Sequence, residues 1–319
     1  MRIWVIGAGG LFGSSLARTA THQGYRVTTS RKIPWTDPEA AGVHLLADAR
    51  DFLNQAQSDS APWTIAWAAG HVTTASSPAA AEQELRLFTD FITGLTDLIE
   101  HNKESKRGRF LLASSAGGIY SGASNPPFDA ATPPSPAGPY GNLKFEQENT
   151  ARKHLSTCVD VTVARLANLY GPGQDLAKLQ GLISRLALSA VTREPLTMFV
   201  PLDTLRDYIY VDDASRLALH WLNEVSSPQN TRVIASGQPT SLGQLISLMQ
   251  DITHSRIPVA YGLHPSAALQ APDLRLVPDS DSITRNWTPM PLPAGVKLVY
   301  QDILNRMQSG ASSVLIPID

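Results

Sequence analysis

An apolar run from Ile3 to Ile6 passes directly into Gly7-Ala8-Gly9-Gly10-Leu11-Phe12-Gly13 and then into a helix-like stretch from Phe12 to Gln23. Few folds accommodate that order. Closely spaced glycines let the backbone turn sharply at the end of a strand. The helix that follows points unpaired N–H groups and a partial positive charge back at the turn. Such a turn suits a phosphate: Gly7, Gly10 and Gly13 permit a tight bend, close approach of a pyrophosphate and close helix packing. Leu11 and Phe12, at the mouth of the helix, belong to the same candidate site.

Strand-like runs continue to alternate with helix-like ones: Tyr25 to Thr29, Val43 to Ala47, Trp63 to Ala68, Phe110 to Ala113 and Val159 to Arg165. This pattern predicts an α/β fold with a doubly wound parallel sheet of the Rossmann type, its ligand crevice at the strand ends. Ala68 and Ala69 fall at one such end. Asp48 and Ala49 follow the run Val43 to Ala47, where Asp48 is placed to accept a hydrogen bond from an adenine amino group. A chain of 319 residues, 43% of them hydrophobic, exceeds the usual single domain. The expected division is a dinucleotide-binding domain of residues 1–169 plus about 208–232. A smaller C-terminal α/β substrate domain takes about 170–207 plus 233–319. Between Gly117 and Pro139 a stretch rich in Ser, Ala and Pro can form no regular element, so it is a long ordered loop or a mobile lid.

Composition narrows the partners. A formal charge of −2, with acids and bases interspersed, gives no basic field for a phosphate backbone, so no nucleic-acid partner is expected. No uncharged apolar run reaches membrane-spanning length and no signal-peptide segment precedes the first glycine, so the expected setting is cytoplasmic, without a membrane partner. The single cysteine, Cys158, lies in an apolar stretch and reads as a small core residue. No metal site is expected.

Tyr140 and Lys144 stand four residues apart in a helix-like segment that Pro139 introduces, which puts both on one helix face. A phenol is a weak base near neutral pH, and an adjacent ammonium that favours phenolate makes proton exchange feasible. The pair gains meaning from its company. The chain resembles the NAD-dependent epimerase/dehydratase family of the extended short-chain dehydrogenase/reductases. Gly7, Gly10 and Gly13 match that family's cofactor turn, and Tyr140-Gly141-Asn142-Leu143-Lys144 is similar to its Tyr-x-x-x-Lys. Arg165 to Gly173 resembles its Arg-x-x-Asn-x-Tyr-Gly-Pro-Gly, and Arg206 to Asp213 its Arg-Asp-Phe/Tyr-x-x-Val-x-Asp block.

The resemblance implies catalysis by Tyr140, Lys144 and a nearby hydroxyl, with Lys144 also holding the nicotinamide ribose. It also implies that Asn168 holds substrate and that Arg206 pairs with a nucleotide diphosphate, as a planar guanidinium can. A salt bridge from Arg206 to Asp207 or Asp203 is the structural alternative. Asp212 and Asp213 are expected to cap a helix starting near Ala214.

Two departures matter. Counting back from Tyr120, the family's catalytic Ser or Thr falls on Ala116, which leaves Ser115 as the first choice and Ser114 as the second. The acid pair that family dehydratases carry after that hydroxyl is replaced by Ala116 and Gly117, which disfavours 4,6-dehydration. The asparagine many relatives carry on the preceding helix is also missing, since none occurs between Asn54 and Asn102.

The expected function is therefore an NAD(P)-dependent epimerase or reductase acting on a nucleotide sugar. The alternatives are an NADPH-dependent reductase of a smaller carbonyl compound and a non-catalytic NADP sensor. NADP is expected over NAD because the second strand ends in Ser30, Arg31 and Lys32 with no acid before Asp37. Arg31 and Ser30 there suit a 2′-phosphate, although both basic residues could be plain solvated charges. A homodimer is expected from the helix Glu82 to Glu100, where Leu87, Phe91 and Leu98 add a second apolar stripe beside Leu85, Phe88, Ile92, Leu95 and Ile99; a wide core face is the alternative.

Overall fold

The alternating runs fold onto a parallel sheet in the computed structural model, which describes residues 1–30, 33–102, 108–177, 181–224, 229–281 and 284–309. β1 (Arg2–Ile6) leads through the glycine turn to α1 (Leu11–His22), β2 (Arg26–Thr29), α2 (Pro38–Ser58), β3 (Trp63–Trp67) and α3 (Pro78–Asn102). Then come β4 (Gly108–Ser115), the single turn α4 (Ala116–Ile119), α5 (Pro139–Leu155) and β5 (Asp160–Leu166). The chain next leaves the sheet for β6 (Asn168–Tyr170), α6 (Leu182–Thr192), β7 (Leu196–Met198), β8 (Leu205–Tyr210) and α7 (Val211–Asn223). It returns as β9 (Gln229–Ile234) and finishes with β10 (Pro239–Ser241), α8 (Leu242–Thr253), β11 (Val259–Tyr261), β12 (Asp273–Leu274) and α9 (Leu292–Gln308).

The main sheet has the order β2-β1-β3-β4-β5-β9, and every pair in it is parallel. Successive side chains of a strand face opposite ways, and β1 uses both faces. Ile3 and Val5 join the core under α1 and α7, while Trp4 and Ile6 join the one under α2, α3 and α5. A third core gathers around α6, α8, α9, β7 and β8. There β8 pairs with β10, β12 and β6, and β11 pairs with β7. Since β9 belongs to the main sheet, a boundary at 232–233 would cut that strand.

Val43 to Ala47 is not a strand. It lies inside the 21-residue helix α2, whose Asp37 side chain caps Ala40 N–H at 3.1 Å and whose first residue is Pro38. The short apolar run is part of a longer helical period, since the buried positions are Ala41, Leu45, Ala49, Phe52, Leu53 and Ala56. A run of that length cannot be told from a buried helix by apolarity alone. In the standard doubly wound order 3-2-1-4-5-6 a further strand flanks the second. Here β2 is the edge.

The same helix removes the argument for a dimer. Leu87 and Phe91 are buried within the protomer, where α2 leans on α3 so closely that a Cβ on Gly94 would come within 2.8 Å of Leu46 Cδ2. Leu98 packs against the same core. The second stripe is thus covered inside the chain, and the wide-core alternative accounts for it.

The segment between Gly117 and Pro139 contains α4 and is otherwise an ordered loop. Phe128 is buried and stacked on Tyr120 at 5.3 Å, Tyr120 Oη donates to Asp129 O at 2.6 Å, and Ser135 N–H donates to Ile119 O. Asp212 and Asp213 sit in the first turn of α7, which starts at Val211, rather than capping it. Asp212 accepts from Ser15 Oγ on α1, and Asp213 accepts Met290 N–H. Cys158 is buried, as its apolar setting predicts. Among the described residues no helix is long and apolar enough to cross a membrane.

Candidate active site

The glycine turn is built by exclusion. Gly7 has φ +89°, and a Cβ there would lie 2.6 Å from Ala69 N in the loop after β3. A Cβ on Gly13 would collide with Gly7 O, so α1 can approach the turn only without one. Gly9 has open space where its Cβ would be. Gly10 is the N-cap of α1, contributes no side-chain cap, and the first turn holds no acid. The opening N–H groups of α1 therefore keep their capacity for an anion. This bare cradle fits a dinucleotide pyrophosphate.

Tyr140 and Lys144 lie in the first two turns of α5, with Pro139 as its first residue. The Tyr140 ring rests on Gly118, where a Cβ would sit 3.1 Å from Cε1. Lys144 is buried; its Nζ donates to Gln147 Oε1 at 3.0 Å and lies 6.0 Å from the centroid of the Tyr140 ring. The two serines of β4 differ in their partners. Ser114 Oγ donates to buried Glu148 Oε1 at 2.6 Å, within a network in which Arg165 grips both Glu148 oxygens and donates to Tyr120 Oη. Ser115 Oγ accepts the N–H of Gly118, the glycine on which Tyr140 rests, at 3.1 Å. Ala116 is fully buried. Both serines line the site's cavity, and Ser114 in addition ties β4 to α5 through Glu148.

Arg206 forms no salt bridge with Asp207 or Asp203. Its Nη1 donates to Leu205 O and Ala271 O, both at 2.8 Å, and Nη2 reaches Gln270 Oε1 at 3.5 Å. Only 8% of it is exposed, and burial pulls its pKa down from the usual guanidinium value. The Asp273 carboxylate opposes that shift without a hydrogen bond to Arg206, so a cation held by neutral oxygens is well placed to meet an anion. Asp207 turns away: its carboxylate accepts Ser236 and Gly237 N–H, each at 2.8 Å, and burial raises its pKa to about 6. Asn168 Nδ2 donates to Asp207 O at 3.1 Å, which ties β6 to β8.

These pieces open onto one cavity of about 1070 Å³. Gly7, Gly10, Leu11 and Phe12 line it on the turn side together with Ala68 and Ala69. Ser115, Tyr140 and Lys144 stand in its middle, and Asn168 and Arg206 line its far side. The volume exceeds that of most single-ligand sites and suits two ligands. Asp48 and Ala49 do not reach it: both lie on α2, and Ala49 is packed in the core. Gly13 and Ser30 stand behind the wall, the latter accepting Trp4 Nε1–H at 2.9 Å. Arg31 and Lys32 lie outside the described residues.

Several lining residues carry no local sequence signal. Arg185 of α6 points into the cavity and has no carboxylate partner among the described residues. Phe199 pairs with His264, ring centroids 5.4 Å apart, although 65 residues separate them in the chain. Glu84 Oε2 accepts His71 and Val72 N–H at 2.7 and 2.9 Å. Its Oε1 is buried near Gly70, where a Cβ would lie 3.3 Å from it and 3.6 Å from Lys144 Nζ. Gly70 thus lies between the Glu84 carboxylate and Lys144, on the side of the helix that lacks the asparagine. Among the described residues no group of His, Cys, Asp and Glu side chains could hold a metal ion.

The family model described as "NAD dependent epimerase/dehydratase family" matches residues 3–235. A "Putative UDP-glucose 4-epimerase" of Methanocaldococcus jannaschii is 25% identical over 163 residues, 50% of this chain and 52% of that protein. The matched stretch thus spans about half the length of that curated relative. The structure is similar to that of UDP-glucose 4-epimerase from Thermotoga maritima with UDP-glucose, with TM-score 0.74, 22% identity and coverage of 96% of this chain and 100% of that one. It is also similar to that of an NAD-dependent NDP-hexosamine 5,6-dehydratase of tunicamycin biosynthesis, with TM-score 0.74, 21% identity and coverage of 96% and 98%. At these identities the structural likeness establishes the Rossmann-type α/β fold.

Proposed function

We propose that this chain, which belongs to the NAD dependent epimerase/dehydratase family, is an NAD(P)-dependent epimerase or reductase of a nucleotide sugar. The observation that carries the reading is one continuous cavity, which joins a bare glycine cradle to Tyr140 and Lys144 and then to a buried arginine whose hydrogen bonds go to neutral oxygens rather than to a carboxylate. When bound, the nicotinamide dinucleotide supplies hydride transfer to or from a carbinol or ketone carbon. The turn at Gly7 to Phe12 holds its pyrophosphate through backbone N–H groups.

Lys144 holds the nicotinamide ribose beside Tyr140. Tyr140 exchanges the proton of the reacting oxygen, and Ser115 hydrogen-bonds that oxygen. Arg206 takes the nucleotide diphosphate, with Arg185 as a second guanidinium on the same side, and Asn168 orients the sugar. Ala116 and Gly117 offer no acid or base for eliminating water, so the reading is epimerisation or reduction rather than 4,6-dehydration.

The test is to incubate purified protein with NADP, NADPH or NAD and a panel of nucleotide sugars, and to identify products by mass and chromatography. Conversion of at least one sugar is expected. Turnover of small ketones or aldehydes alone would replace the substrate assignment, and binding without any turnover would favour a sensor. In the same protein NADP is expected to bind more tightly than NAD, with Arg31→Ala losing NADP affinity selectively; equal or tighter NAD binding by wild type contradicts the cofactor preference.

A further inference from the structure

Among the described residues no strand stands beyond β2 at the adenosine end of the proposed cofactor site, and one exposed aromatic is found there. In a doubly wound sheet the dinucleotide runs from the helix N-terminus toward the end of the second strand, where the adenosine ribose lies. Among the described residues that strand is the sheet edge, and residues 33–37 form a tight turn. Trp35 N–H donates to Ile33 O and Asp37 N–H to Pro34 O, both at 2.9 Å, while the Ile33 side chain is buried as an anchor. The turn holds the Trp35 ring 40% exposed on the wall of the same cavity that the glycine turn opens into.

The ring does not lie there loosely. It meets Trp67 at the end of β3 with centroids 6.3 Å apart and planes at 87°, and Trp67 is itself packed between Phe88 and Phe91. β2 and β3 flank β1 in the sheet, so their loops meet on either side of the glycine turn. A large apolar side chain exposed inside a cavity, braced from behind and fixed by a backbone turn, suits a flat aromatic ligand.

We propose that Trp35 is the stacking platform for the adenine ring of the dinucleotide, at a sheet edge where no further strand stands among the described residues. The assignment rests on the NAD(P) reading above. Stacking of a base on an aromatic side chain has a worth that corresponds to about a tenfold or larger change in affinity when the ring is removed.

The test measures dissociation constants of wild type, Trp35→Ala and Trp35→Phe for NADP, NAD, ADP and reduced nicotinamide mononucleotide, with thermal unfolding as a check on the fold. Trp35→Ala is expected to bind the preferred dinucleotide and ADP about tenfold more weakly or worse, and to bind the mononucleotide as wild type does. Trp35→Phe should stay within about threefold of wild type for all. Dinucleotide binding by Trp35→Ala within twofold of wild type would overturn the platform while leaving the cofactor reading intact. Equal losses for ADP and the mononucleotide would also overturn it, because they would mark a general distortion. Failure of wild type to bind either dinucleotide would remove the cofactor reading and the platform together.

Discussion

The two ends of the cavity are made in different ways. The turn end is mostly backbone, contributed by consecutive residues from Gly7 to Phe12 at the mouth of α1, where the essential property is the absence of side chains. The far end is mostly side chains, and Asn168, Arg185, Phe199, Arg206 and His264 arrive there from separate parts of the chain. A backbone cradle recognises what all dinucleotides share. A wall of side chains distinguishes one substrate from another, so the reaction partner is decided at the end that is least local in sequence.

Substitutions should separate the two ends. Lys144→Ala, which stands where they meet, is expected to have the largest effect of the variants that probe both: turnover falls about a thousandfold and dinucleotide binding weakens as well. Turnover loss with unchanged dinucleotide affinity would confine Lys144 to the chemistry and break its assignment to the ribose. Arg206→Gln should act on the far end alone, lowering kcat/KM for the nucleotide sugar about tenfold to a hundredfold, as for the loss of charge-assisted hydrogen bonds. Its dinucleotide affinity should be unchanged. A matching loss of dinucleotide affinity would mean that the ends are not independent.

The smallest effect concerns Asp207, whose backbone is tied to Asn168 and whose carboxylate holds the 236–237 backbone. Burial raises its folded pKa to about 6, above the ordinary 3.8. The stability it contributes is therefore fully present below the unfolded value and lost as pH rises through the folded one. Across that window the wild-type stability relative to Asp207→Asn should improve toward low pH, by at most about 1.4 kcal/mol per pH unit. Urea unfolding of both proteins from pH 4 to 7 checks the slope. A constant difference, or one of opposite sign, would remove Asp207 as the source.

The contrast also explains what was legible in the sequence. Gly7, Gly10, Tyr140, Lys144 and Arg206 announce themselves through fixed spacing, because a turn, a helix face and a strand register are local geometries. The parallel sheet was legible for the same reason. A short apolar run such as Val43 to Ala47 fits a strand as well as one side of α2, and the places of Asp48 and Ala49 follow from the helix instead. The same helix covers Leu87 and Phe91 from within the chain, so their stripe calls for no partner. Ser114 and Ser115 are adjacent in sequence and differ only in what the fold places opposite them: Glu148 for one and Gly118 N–H for the other. Arg185, Phe199, His264 and Glu84 owe their positions to topology, and no spacing rule points to them.

Between the two ends Tyr140 is assigned the proton chemistry and contributes little to holding the cofactor. Measuring turnover and dinucleotide affinity of Tyr140→Phe side by side tests it directly. Turnover is expected to fall by at least about a hundredfold, with dinucleotide affinity within a few-fold of wild type. Turnover near the wild-type rate would contradict it.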